Sequence, residues 1–158
     1  MGVLCVVAGC MLASGVQAQS RQDSMRTRIS AMGGPRLVGV DFELKLTDRL
    51  VLSGGPSVHT EHTQVGLSNR VGLDMYLAGQ PFNGLFVRME TAAVLTIESD
   101  TSERDIGFTG SILLGSTWTA PAGVSTGITI GGQTFVVPGR VQRIQLDVSI
   151  RLSFGWAF

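Results

Sequence analysis

Cysteine occurs twice in this 158-residue chain, at Cys5 and Cys10, and nowhere in the following 148 residues. Beyond residue 10 there is therefore no disulfide framework, no thiol nucleophile and no cysteine-based metal site. Lysine is represented by Lys45 alone, the formal net charge is zero and no basic run exists, which argues against a nucleic-acid partner. The only histidines are His59 and His62, so a general base of ordinary pKa has few places to sit. Long apolar runs suited to a membrane-crossing helix are missing as well, and so is helical periodicity.

Glycine, by contrast, is abundant at 21 residues, beside many β-branched side chains. That composition points to an all-β chain. The clearest pattern lies at the end, where Ile144, Leu146, Val148, Ile150, Leu152, Phe154, Trp156 and Phe158 occupy every even position. Gln145, Asp147, Ser149, Arg151 and Ser153 form the opposite face. This is period 2, sustained well beyond the roughly 5–6 residues of an ordinary strand. It suits a strand with lipid on one side and a polar interior on the other.

Residues 1–18 read as a cleaved secretory signal. An apolar stretch from Gly2 to Val16 is followed by Val16-Gln17-Ala18, a small-x-small site with cleavage after Ala18, and then by polar Gln19 to Asp23. Met1 to Leu12 lacks the usual basic residues. A transmembrane helix would need about 20 apolar residues, more than the run offers. Val7-Ala8-Gly9-Cys10 also resembles a lipobox, although the apolar run continues past Cys10. Residues 19–158 are then one domain by length.

Eight alternating segments are expected in that domain: Arg26–Gly33, Arg36–Leu46, Leu50–Glu61, Leu67–Gly79, Leu85–Glu98, Ile106–Trp118, Val124–Val137 and Ile144–Phe158. Thr47-Asp48-Arg49, Gln80-Pro81 and Ala120-Pro121 are tight turns, and Ser99–Asp105 is a polar loop. Gly131-Gly132 could be a hairpin turn, but splitting there leaves strands shorter than the roughly 9–11 residues of a tilted crossing, so a glycine bulge is preferred. With an even strand count both ends lie on one side, and Phe82, Trp118, Trp156 and Phe158 collect there as an aromatic girdle. The expected fold is a single closed antiparallel transmembrane β-barrel of about eight strands, an up-and-down meander.

The chain resembles a small outer-membrane β-barrel protein of the OmpA-domain or OmpX type. The resemblance covers everything after the signal and is carried by the ending Arg151-Leu152-Ser153-Phe154-Gly155-Trp156-Ala157-Phe158. It is similar to that family's C-terminal assembly signal, with Trp156 and Phe158 matching and Ser153 standing where glycine is usual. The resemblance implies outer-membrane localisation, outer-membrane lipid and the barrel-assembly machinery as partners, and a monomer.

An eight-stranded barrel has an interior that side chains fill. The inward faces carry Asp41, Glu43, Lys45, Glu61, Arg70, Asp74, Arg88, Glu90, Asp147 and Arg151. Buried charges must be paired, so a lumen network is expected among Glu43, Lys45, Arg70, Asp74, Arg88, Glu90, Asp147 and Arg151, a plug of ion pairs rather than an ion path. Catalytic, cofactor and metal sites are not expected. Two alternatives remain. A lipid-modifying hydrolase of the lipid A deacylase kind would have to use His59 with a serine and a carboxylate such as Glu61, yet the His-x-Ser-Asn pattern of deacylase barrels is missing. His62 falls on the opposite face from His59 and Glu61 if the strand continues, which weakens a metal site. A soluble lipocalin-like barrel would turn its apolar rows inward.

Overall fold

The computed structural model describes residues 24–61, 64–98, 104–136 and 145–158. The signal segment with Cys5 and Cys10, His62, most of the loop expected at Ser99–Asp105, Val137 and Ile144 lie outside them. The described residues form one closed barrel of eight strands in chain order, every neighbouring pair antiparallel. The strands are β1 (Thr27–Gly34), β2 (Leu37–Lys45), β3 (Leu50–Glu61), β4 (Gln64–Gln80), β5 (Asn83–Glu98), β6 (Arg104–Thr119), β7 (Val124–Val136) and β8 (Gln145–Ala157).

Alternation decides which way each row points. Val38, Phe42 and Leu44 on β2, Ile106, Phe108 and Ile112 on β6, Val148 through Trp156 on the even positions of β8, and Phe158 just beyond it are exposed. Between them Asp41, Glu43, Ser111 and Arg151 are buried. Apolar side chains face out and charges face in, the reverse of a soluble binding barrel. The lipocalin-like alternative is excluded by that direction.

The register measures the tilt. Followed across the ladders from Ile29 through Phe42, Gly54, Val71, Thr91, Gly110, Thr134 and Leu146, it returns to the line of β1 ten residues beyond its start. A stagger of that size goes with strands tilted by about 35–45°.

Two expectations are corrected. Gly131 and Gly132 pair in unbroken register with Leu113 and Ile112 on one side and Ser149 and Val148 on the other, so they form neither a turn nor a bulge. The register shift lies instead between Tyr76 and Ala78 on β4. Phe82 is not in the aromatic girdle. Its ring is 1% exposed and closes the lumen with Met25, Val51, Tyr76, Phe86 and Ala157. This inward turn requires a left-handed backbone, φ 66°, which is uncommon for a non-glycine residue. Two hydrogen bonds hold it: the Phe82 N–H donates to Tyr76 Oη at 2.9 Å, and Thr119 Oγ1 donates to the Phe82 carbonyl at 2.5 Å. Trp118, Trp156 and Phe158 do point outward.

The Phe86 ring fits into this apolar floor because β6 carries Gly115 directly across from it; a Cβ there would strike the ring and the Thr129 methyl. Replacing Gly115 by leucine overpacks the floor, with an expected cost of about 1–3 kcal/mol. The check is a lowered urea midpoint of the refolded barrel; an unchanged midpoint would contradict the packing described.

Candidate functional site

Four arginines and four carboxylates meet in the lumen above that floor, one chain of contacts running Arg28, Glu43, Arg88, Asp41, Arg70, Glu90, Arg151, with Asp74 attached to Arg88. Each of these side chains is no more than 4% exposed. Arg88 is the hub. Its guanidinium reaches Asp74 at 2.6 Å, Asp41 at 2.7 Å and Glu43 at 2.7 Å. Asp74 is its directly opposed cross-strand neighbour on β4, whereas Asp41 and Glu43 reach it across the lumen from β2. Above it, Arg70 pairs with Asp41 at 2.8 Å and Glu90 at 3.3 Å, and Arg151 reaches Glu90 at 2.9 Å.

The network also repairs the sheet. The β2–β3 ladder pairs Gly39 with Ser57 and resumes at Phe42 with Gly54, skipping Val40 and Asp41 opposite Gly55 and Pro56. Proline has no N–H to give. The Val40 carbonyl instead accepts a hydrogen bond from Arg70 Nη2 at 3.1 Å. Arg28 is tied down similarly, donating from Nη1 to Ser125 Oγ at 3.0 Å, with its guanidinium 5.9 Å from the centre of the Phe82 ring. Network and floor are thus one packed unit.

Six of the eight expected lumen residues, Glu43, Arg70, Asp74, Arg88, Glu90 and Arg151, come together here. Two do not. Lys45 lies near the end of β2 and bonds exposed Asp48 in the adjoining turn at 3.0 Å, too far down to reach the hub. Asp147 sits near the opposite end of β8, 57% exposed, at 3.6 Å from Arg36. Arg28 was missed because its strand is the shortest. The signal was present in the sequence, since Arg28, Ser30 and Met32 alternate with Ile29 and Ala31 and all three are buried. The side chain of Glu61 is outside the described residues.

His59 faces inward with a serine pair. Its Nε2 is 2.8 Å from Ser68 Oγ and 3.3 Å from Ser57 Oγ, and the two hydroxyls are 2.6 Å apart. Arg70 Nε donates to Ser57 Oγ at 3.1 Å, which joins the trio to the network. A serine hydrolase also needs a carboxylate to orient the imidazole. Among the described residues no carboxylate bonds the ring, and Ser68 is buried in the wall. No group of three or more potential metal ligands occurs among the described residues.

No protein-family model and no curated protein sequence matches this chain. Among solved structures, the crystal structure of the N-terminal β-barrel domain of Pseudomonas aeruginosa OprF is similar, with a TM-score of 0.64 over 85% of this chain and 100% of that one, at 17% identity. The chain has the fold of a small outer-membrane β-barrel. At such low identity the OprF barrel establishes the architecture and leaves the lumen chemistry to be read from this chain alone.

Removing Arg88 would strand Asp74, because Asp41 keeps Arg70, Glu43 keeps Arg28, and Asp74 keeps only the Ser53 hydroxyl at 3.2 Å. Arg88→Ala is expected to cost about 3–5 kcal/mol, with part of the loss recovered by adding Asp74→Asn. Arg36→Ala, at an exposed pair, should cost about 0–1 kcal/mol. Urea titration of the three refolded variants measures both; equal midpoints for Arg88→Ala and the parent would refute a desolvated hub.

Proposed function

We propose that this protein is an integral outer-membrane barrel whose lumen is sealed by the arginine–carboxylate network, and that it serves a structural or surface-interaction role without catalysis. The observation that carries this reading is the inversion of polarity, with apolar rows outside and eight fully desolvated charges inside. A lipid-facing band about 25 Å tall with aromatic residues at its edge is what such barrels present to a bilayer, and Trp118, Trp156 and Phe158 supply that edge. The mature chain is expected to fractionate with outer membranes after export and cleavage behind Ala18; recovery in the soluble periplasm would overturn the reading. In planar bilayers the refolded protein should carry no sustained ion current, since ion pairs and the Phe82 floor fill the space that an open pore would need.

The lipid A deacylase-like alternative has the Ser68–His59 contact in its favour and lacks the orienting carboxylate among the described residues. No release of fatty acid from lipid A by the refolded barrel is the expected result, and release abolished by His59→Ala would reverse it.

Trp156 and Phe158 are proposed as the contact for the barrel-assembly machinery. They lie on the closing strand, where the Phe158 N–H donates to the Thr27 carbonyl at 2.9 Å and the Phe158 carbonyl accepts from the N–H groups of Arg26 at 3.0 Å and Thr27 at 3.1 Å. Trp156→Ala with Phe158→Ala should lower the inserted fraction several-fold in cells while refolding in detergent, measured on unboiled gels, is retained. Equal insertion of parent and variant would sink the assignment.

A further inference from the structure

Charge is spread unevenly around the end of the barrel that the apolar floor closes. The turns Gln80-Pro81-Phe82-Asn83 and Ala120-Pro121-Ala122-Gly123 hold no charged residue, whereas the start of β1, the end of β2 and the turn after it bring Arg26, Lys45, Asp48 and Arg49 together. The Lys45 N–H donates to the Arg26 carbonyl at 2.7 Å, and the ladder that pairs Thr27 with Leu44 continues by one residue to set Arg26 opposite Lys45. Alternation puts Arg26 in phase with buried Arg28, Lys45 with buried Glu43 and Arg49 with buried Val51, so the three cations share one face. Like charges directly opposed on paired strands are destabilising, and an anion between them removes that cost.

Among the described residues the protein supplies little of that anion. Asp48 bonds Lys45 at 3.0 Å from a side chain that is 95% exposed, a contact that water weakens. The guanidinium groups of Arg26 and Arg49 are exposed and bond no carboxylate among the described residues. The Phe158 carbonyl oxygen is taken up by the N–H groups of Arg26 and Thr27.

Two constraints fix where the cationic side chains go. Met25, Val51, Tyr76 and Phe82 close the lumen directly above them, so their stems turn past the rim instead of into the barrel. Their height follows from the register. Thr27 pairs with Phe158 through the Phe158 N–H, and with the stagger shared over eight ladders Arg26, Lys45 and Arg49 all stand within about two residues of the height of Phe158. Phe158 and Trp156 are outward aromatics of the girdle, which marks the head-group layer. Beside the cations, exposed Leu44 and Leu46 carry the apolar band down to the same rim.

Resting on the outer-membrane reading, we propose that Arg26, Lys45 and Arg49 form a binding site for the head group of an anionic phospholipid in the leaflet at the floor end, with its phosphate between Arg26 and Lys45 and its chains along Leu44 and Leu46. Phosphate oxygens suit both partners, a planar guanidinium that bonds two of them and a compact ammonium. Three cations against one carboxylate favour a lipid of net negative charge over a zwitterionic one. The uncharged turns elsewhere on the rim offer no such contact, which confines the site to the arc of β1, β2 and β3.

The chain's two tryptophans, Trp118 and Trp156, point outward at this same end and report on this leaflet. Trp156 pairs with Ile29, three residues from Arg26. The test places the full refolded chain in phosphatidylcholine liposomes and compares quenching of tryptophan fluorescence by equal mole fractions of phosphatidylglycerol and phosphatidylcholine with dibrominated chains. The association constant read from quenching is expected to be roughly fivefold higher for brominated phosphatidylglycerol, the factor that one basic residue contributes at an anionic surface. Arg26→Gln with Arg49→Gln should bring the two lipids close to parity, and Arg36→Gln, which removes a positive charge at the opposite end, should leave the preference unchanged. Heat-modifiable mobility verifies that each variant is folded. Absence of quenching by either lipid would overturn the membrane reading itself. Equal quenching by both in the parent would overturn the site and leave the membrane reading standing. A preference that survives the double substitution would overturn the assignment to these arginines, and one that Arg36→Gln lowers equally would overturn a local site in favour of net charge.

Discussion

Charge pairing in a space too narrow for bulk water is the constraint on which this structure depends. An eight-stranded barrel encloses room for side chains and little else, so any ion inside it loses its hydration. Arg88 resolves this by meeting three carboxylates at 2.6–2.7 Å, and the sharing of Asp41 with Arg70 and of Glu43 with Arg28 spreads the same solution through the lumen. Four positive and four negative groups leave no net charge to desolvate. Such networks seldom stabilise more than well-packed apolar cores would. What this one adds is directional: each guanidinium ties strands that are far apart in sequence, Arg151 to Glu90 across 61 residues and Arg88 to Asp41 across 47.

The floor and the network solve different problems at different heights. At the end that holds the tight turns, Tyr76, Phe82 and Phe86 close the lumen with apolar surface, and the left-handed backbone at Phe82 is held by Tyr76 and Thr119. Higher up, polar side chains take over and finally leave a cavity. The gradient from packed to open runs in one direction, away from the chain termini. His59, Gln133 and Phe135 line that cavity at the distal end.

The two misplaced lumen residues follow from the same geometry. Lys45 and Asp147 alternate correctly with their neighbours, yet one stands at the bottom of β2 and the other near the top of β8. Period 2 tells which face a residue occupies and says nothing of height. Height follows from register, and register from the tilt accumulated over all eight ladders. The Gly131-Gly132 pair illustrates the same limit: composition suggested an irregularity, whereas the neighbouring ladders on both sides run through it unbroken.

The sequence by itself determined the all-β class, the strand count, the direction of each face and the presence of both charge signs in the interior, because alternation along a strand is a local property of the backbone. Phe82 shows where local reasoning stops: beside a proline turn it reads as an interface aromatic, and only contacts with Tyr76 on β4 and Thr119 on β6 draw it inside. Only the tertiary structure decided which arginine meets which carboxylate, since Arg88 and Glu43 share no local spacing and meet across the lumen.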